Sequence, residues 1–557
     1  MPTSTGATQR LIEVDGTELA VGIDALLESA VVVDRLRMPD MFSLVFRDRE
    51  RDVLSRAGLR IGAKVAISTT SVTEETPRSL IEGEVTSIET DYDRLGTRAV
   101  VRGYDLSHRL TAGRRSDVYT QVKLSDVAKQ IASDAGLQAD VDDTPGTVEH
   151  LAQMNVSDLD FLYDLARMAG FDCRVEGDTL LFKKPVESSG APAAGDFTSD
   201  EPLQLVWDHN LIEFRARMSA VSQVAEVQVR GWNVTDKAAV IGSATPSASG
   251  TQLDEGATPD GLARTVGGKT LVVVDHPVGT QEEADTLAAV RAAQVGSAAF
   301  EATAVALGNA ALKAGVAVHI TGVDPALQGR WVITGSRHEF GGQDGYQTFL
   351  EFTGRQDRSI HGLLTQAKAR PAERFYGVAV AIVTDNDDPN SMGRVKLKFP
   401  WLDDSVVSNW ARIVAPGAGK DTGVVWIPQV DDEVLVAFEH GDVNQPLVLG
   451  GLWNGVDTIP FDSSGLDAGK VTYCGFTSRT GHKISFFESS NESSIHLLTK
   501  GGAVSVILDE QNKEVKVETT GKIVFDAQGD VEIKAGGSLK LEASGQVTVK
   551  GATVALN

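Results

Sequence analysis

Cysteine is nearly absent: Cys173 and Cys474 are the only two in 557 residues. Two isolated thiols make neither a disulfide framework nor a zinc cluster, and the ordinary place for a free cysteine is a buried one. No stretch approaches the roughly 18 apolar residues of a membrane-spanning helix. The opening segment MPTSTGATQRLIEVDG lacks a basic stretch followed by an apolar one, which implies synthesis and assembly in the cytoplasm without a secretory signal peptide, and delivery outward by some other route. Basic residues are in deficit: 52 Lys and Arg stand against 77 Asp and Glu, for a net charge of −25. That balance argues against nucleic acid and anionic membrane surfaces as binding partners, since both would repel the chain. The length predicts three to four domains at roughly 150 residues each. Glycine is plentiful, with 55 residues, and near the end of the chain its placement is regular.

In TTGKIVFDAQGDVEIKAGGSLKLEASGQVTVKG, glycine returns every eight residues, at Gly521, Gly529, Gly537 and Gly545. Two apolar residues follow each: Ile523 and Phe525, Val531 and Ile533, Leu539 and Leu541, Val547 and Val549; Val515 and Val517 begin the series. Each octad predicts a short strand and a corner. Alternation places both apolar residues on one face and Lys516, Glu518, Lys522, Glu532, Lys534, Lys540 and Glu542 on the other. The glycines are expected at the corners, where positive φ is free of a Cβ clash. One such chain exposes strand edges and a one-sided apolar sheet. An antiparallel meander laid on another domain would cover it, as would three identical chains wound together with their apolar stripes meeting on an axis. The constant register favours the three-chain prism. At its end, Val554, Ala555, Leu556 and Asn557 would leave a flat, apolar surface that calls for a docked cap.

Upstream, the first third alternates in strand fashion (AVVVDRLRMPDMFSLVFRD) and includes two helical patterns. In LSDVAKQIASDAGL, Ser125 is the expected N-cap and Gly136 the stop. In NVSDLDFLYDLARMAGF, Ser157 and Asp160 resemble a capping box, and Phe161, Leu162, Leu165 and Met168 form one core stripe before Gly170. Residues 186–197 read as a linker and 356–374 as a boundary. Strands follow in AEVQVRGWNV, GVAVHITGV, GRWVITGSRHEF and GYQTFLEFTG, and QEEADTLAAVRAAQVGSA is a helix whose alanines permit close packing. From Phe375 to Asn454 the pattern is all β, with VVWIPQV among its strands, and predicts a small closed barrel.

Motifs for chemistry fail on inspection. APGAGKDTG has Val414 where a phosphate loop needs glycine, and Asp421 in place of Ser or Thr. TDNDDPNSMG gives Asp385 and Asp387 a calcium-loop spacing that Pro389 and Asn390 interrupt. RHEFG is no zinc helix, and His482 and His496 have no second pair at ligand spacing. No catalytic residue, metal site or cofactor is assigned.

The stretches MGRVKLKFPW (392–401) and ARIVAPGAGKDTGVVWIPQVDDEVLVAFEHGDVNQPLVLGGLWN (411–454) resemble the OB-fold barrel of the VgrG-type hub and spike proteins of contractile injection systems, the type VI secretion and phage-tail-like machines. TGHKISFFE (480–488) resembles the start of that family's stalk, the octads its β-helix, and SDLDFLYDLARMAGF and GRWVITGSRHEFGGQDGYQTFLEF its hub. The resemblance implies a mainly β fold with an α+β hub. Residues 1–370 would form the hub with two tube-like barrels, 371–460 the OB-fold barrel, and 461–557 the stalk and intertwined trimeric β-helix needle. It implies a homotrimer serving as baseplate hub and membrane-puncturing spike, whose partners are a hexameric inner tube protein, baseplate proteins, a PAAR-type tip protein on Val554–Asn557, and effector cargo. The competing class is a β-helical, tail-associated polysaccharide-degrading enzyme; an octad with two axial apolar residues offers no groove for a glycan.

Overall fold

The computed structural model describes residues 9–70, 76–94, 96–193, 201–274, 276–341, 345–356, 374–402, 406–460, 466–467 and 469–555. Part of the expected linker at 186–197 and nearly all of the boundary at 356–374 lie outside them. The chain divides into two units, Met1–Leu452 and Trp453–Asn557.

The first unit is built on an eleven-stranded sheet. Seven of its strands come from the N-terminal part of the chain, among them Leu27–Arg35, Met41–Arg47 and Gly96–Tyr104. Leu211–Met218, Phe300–Leu307, Tyr346–Phe352 and Gly335–Gly341 supply the other end. The two ends meet where Gly335–Gly341 pairs antiparallel with Leu27–Arg35. Each end has its own core, because alternation turns every second residue inward. Phe42, Phe46, Ile67 and Phe340 pack in one, and Phe300, Ile320, Trp331 and Phe352 in the other. A four-stranded sheet that includes Ala317–Thr321 and Gly329–Val332 covers the second core. At the seam Gly335 lies in register between Arg35 and Glu351. With no side chain between them, the two charges reach each other at 2.7 Å across the intervening strand.

Between these halves of the sheet, an α+β insert buries the apolar faces of the helices Leu124–Asp134 and Asp158–Ala169 against Cys173 and Phe182. Ser157 caps the second helix: its Oγ accepts from the Asp160 N–H at 3.2 Å and donates to the Asp160 carboxylate at 2.7 Å. Gly170 ends that helix at φ 73°. Two details differ from expectation. Ser125 lies inside the first helix, buried, and Lys123 is the N-cap; the Ser125 N–H is satisfied by Thr144 Oγ1 at 3.1 Å. Met168 is exposed, since the stripe's last turn runs off the core. The insert's strand Val148–Val156 docks on the following module, where His150 Nε2 meets Val407 O at 2.9 Å and the Ala152 N–H donates to Asn444 Oδ1 at 3.0 Å.

The helix Gln281–Ser297 begins with a reciprocal capping box of Thr280 and Glu283. It lies directly on the strand Ala238–Ala244: a Cβ at Gly242 would sit 2.3 Å from the Ala284 backbone. Residues 378–451 form a five-stranded sheet around Val383, Leu397, Phe399, Val434 and Val436. Its loop 385–394 folds on Asp388. That carboxylate accepts from Arg394 Nε and Nη2 at 3.1 and 2.8 Å and from the N–H groups of Asn390, Met392 and Arg394. The arginine supplies the positive charge in this turn and holds the Asp388 carboxyl below the ordinary carboxylate range. The expected strand at VVWIPQV is absent: residues 424–429 pair with no described strand, and Val425 and Trp426 are exposed.

A buried histidine gives the first unit a pH signature. His338 Nδ1 lies 2.8 Å from Tyr346 Oη and its Nε2 3.2 Å from Ser336 Oγ. Burial pushes its pKa down to about 3. The unfolded chain therefore takes up this proton first, so the contribution of neutral His338 is complete above about pH 6.5 and is lost as pH falls toward 3, by up to about 1.4 kcal/mol per unit. Asp34, Asp40 and Asp105 act in the opposite sense, because burial raises their pKa values. Comparison of wild type with His338→Gln isolates the histidine. Urea unfolding between pH 7 and pH 4 should show a larger loss of stability in wild type, and equal slopes would contradict the assignment.

Candidate assembly surface

The second unit opens with a five-stranded antiparallel meander: Tyr473–Thr477, Lys483–Glu488, Ser493–Leu498, Val504–Asp509 and Glu514–Thr519. Its register aligns two rows of apolar side chains across all five strands. One runs Cys474, Phe486, Ile495, Leu508, Val515, and the other Phe476, Ile484, Leu497, Val506, Val517. The rows are two residues apart along each strand and so lie on one face. They end on the first pair of the octad series. Most of this face is open in the single chain: Phe476, Ile484, Ile495, Leu497, Leu508, Val515 and Val517 are all exposed. Cys474 is exposed as well, contrary to the buried site expected of a free thiol; it sits in the apolar row rather than in a core. Cys173 is buried, which pushes its thiol up to about 12.

The opposite face has the small polar groups. Ser485, Ser494 and Ser505 are buried, Tyr473 Oη and Ser485 Oγ are 3.0 Å apart, and Ser494 Oγ meets His496 Nε2 at 2.9 Å. The rings of Phe487 and His496 are 4.6 Å apart between centroids. The two faces of the meander thus differ sharply in chemistry.

Beyond Thr519, residues 520–555 form no paired strand within the chain. Ile523, Phe525, Val531, Ile533, Leu539, Leu541, Val547 and Val549 are exposed, from 48% for Ile523 to 86% for Phe525. On the polar side, Lys534 pairs with Glu532 at 2.5 Å and Lys540 with Glu542. Ion pairing between residues two apart is what extended backbone allows, since i and i+2 share a face. The corner glycines depart from expectation: none of Gly521, Gly529, Gly537 and Gly545 has a left-handed φ. The chain bends there with ordinary backbone angles. A Cβ at Gly529, Gly537 or Gly545 would meet nothing within 4 Å in the single chain, so intrachain sterics do not call for glycine. Val554 and Ala555 are exposed; Leu556 and Asn557 lie outside the described residues.

A family model described as the Alg8 N-terminal domain matches residues 58–341, and one described as the type VI secretion system/phage-baseplate injector OB domain matches residues 379–453. The type VI secretion system spike protein VgrG1c of Pseudomonas aeruginosa is 31% identical over 131 residues, covering 23% of this chain and 17% of that protein. The actin cross-linking toxin VgrG1 of Vibrio cholerae is 28% identical over 153 residues, covering 25% of this chain and 14% of the toxin. The chain thus spans under a fifth of the length of these curated relatives. In fold, it is similar to a chain of the half-lidded Francisella PdpA–VgrG complex, with a TM-score of 0.52 at 8% identity, covering 92% of this chain and 88% of that one. The injector OB-domain match and the similarity to curated VgrG spike proteins support a VgrG-type hub and spike.

Proposed function

We propose that this chain assembles as a homotrimer and serves as the structural hub and spike of a contractile injection system. The observation that carries the reading is the pair of apolar rows in the meander. They lead into eight further octad residues that one chain leaves exposed. Three such chains, wound about a common axis, would bury the rows against one another and supply the strand partners that residues 520–555 lack. The glycines then have a role that the single chain does not give them, as places where a neighbouring chain passes close to the backbone.

The first unit supports the same stoichiometry. Its continuous sheet carries two separate cores per chain, so three chains would present six similar units to a hexameric tube protein. Baseplate proteins are proposed as further neighbours. A PAAR-type tip protein would cover the end formed by three copies of residues 554–557, and cargo would travel with the trimer, as PdpA is found with VgrG in the Francisella complex. The role is mechanical: contraction drives a stiff, apolar-cored needle through a target membrane.

Two substitutions test the axis. Ile533→Asp would place three carboxylates on a dry axis, and unpaired buried charge costs about 3–5 kcal/mol per site. Lys534→Asp disturbs only an exposed ion pair, which is worth about 1 kcal/mol or less. Thermal unfolding and light scattering should show the first variant frayed or unassembled and the second close to wild type. Equal effects would mean that the facing of the octads is wrong.

Removal of residues 551–557 should abolish co-purification of a PAAR-type protein while leaving oligomer mass unchanged. Undiminished co-purification would place that partner elsewhere.

A further inference from the structure

A cavity of about 130 Å³ opens in the first unit where three of its parts meet. These are the end of the strand Leu27–Arg35, the insert's hairpin of Asp172–Glu176 and Thr179–Lys183, and the second half's strand Gly329–Val332 with the segments around it. In a chain of net charge −25, the described walls carry Arg37, Arg174, Lys183, Lys184 and Arg355 against one carboxylate, Asp172.

Local pairing shows where the excess charge sits. Lys183 is held by Asp140 and Asp142. Arg174 donates to Ala314 O at 2.8 Å and has Glu176 at 3.5 Å and Asp34 at 4.0 Å. Arg37 Nη2 and Arg355 Nη1 both approach the same oxygen, Asp172 Oδ1, at 3.2 and 3.4 Å. Among the described residues their other contacts are neutral carbonyls: Arg37 Nη1 donates to Gly354 O at 3.2 Å and Arg355 Nη2 to Phe171 O at 3.4 Å. One carboxylate therefore serves two guanidiniums. Arg355 is 13% exposed, and both its burial and the charge of Arg37 lower its pKa against the pull of Asp172. A buried charge without a full partner is unfavourable, and an entering anion relieves it. Guanidinium forks match the planar geometry of carboxylate and phosphate. Away from the arginines the wall carries the apolar side chains of Leu181, Val186 and Val332 beside the hydroxyls of Ser249, Thr251, Ser297 and Thr334.

We propose that this cavity is a binding site for a small oxyanion, a carboxylate or phosphate group on a compact apolar body, gripped by Arg37 and Arg355 beside Asp172. The occupant completes the charge balance of the seam and ties the insert to both halves of the sheet. The site stands independently of trimer formation.

The test is calorimetric titration of the intact chain with inorganic phosphate, butyrate, acetyl-glycyl-valine and its neutral amide. Saturable binding of at least one of the three oxyanions, and none of the amide, is expected. Phosphate or butyrate binding points to a free small molecule, and binding of the peptide acid alone to a polypeptide's terminal carboxylate. Arg355→Gln and Arg37→Gln should each weaken binding about tenfold or more, as loss of a charge-assisted contact does, whereas Lys500→Gln on the second unit should not. Ala248→Trp, which narrows the cavity and keeps every cation, should give the same loss and guards against an arginine variant that misfolds. No saturable binding of any oxyanion at millimolar concentration, unchanged affinity in the arginine and tryptophan variants, or equal binding of the amide would overturn the proposal.

Discussion

A β-strand sends alternate side chains to opposite faces, and from Tyr473 onward one of those faces is apolar and uncovered. That constraint governs the rest of the second unit. Within the meander the strands satisfy one another's backbone groups, yet the rows ending at Val515 and Val517 stay open. In the octads even the backbone pairing within the chain is gone. An apolar stripe of this length on one chain invites association, and identical chains in identical register are the simplest partners. The polar face keeps this under control. Its charges pair along the strand, as Lys534 does with Glu532, and the excess of acid over base across the chain disfavours random aggregation.

The first unit solves a different problem, that of joining two separately cored halves into one sheet. The seam between Gly335–Gly341 and Leu27–Arg35 does this with backbone pairing and with one cross-strand ion pair, Arg35 to Glu351, for which Gly335 leaves the space. The same strand carries the buried Ser336 and His338, the latter bonded to the half-buried Tyr346. Close to one end of the same strand is the arginine-lined cavity. The seam thus brings buried polar groups, Asp34, Ser336 and His338, together with its backbone pairing.

Much of this was legible in the sequence because it rests on local rules. Ser157 and Gly170 bound their helix for reasons contained within a dozen residues, and the shared face of Val515 and Val517 follows from period two alone. The alanines of Gln281–Ser297 correctly signalled close packing, although the counterpart glycine, Gly242, lies in a distant strand. The failures involve what the rest of the chain does to a local pattern. Ser125 had the type and position of a cap but was drawn inside the helix, toward Thr144. VVWIPQV has strand composition without a strand neighbour. Cys474 looked like a core thiol and lies in an exposed row, and the octad glycines lack the left-handed geometry expected of them. The cavity was invisible, since Arg37, Asp172 and Arg355 are far apart in sequence and only the fold brings them to one carboxylate oxygen.

Assembly depends on whether the exposed stripe is covered by copies of the same chain. The most direct measurement is the solution mass of the intact protein at micromolar concentration, by light scattering coupled to size exclusion or by sedimentation equilibrium. The account predicts a single species of three chains of 59.2 kDa each. A stable monomer under those conditions would contradict it.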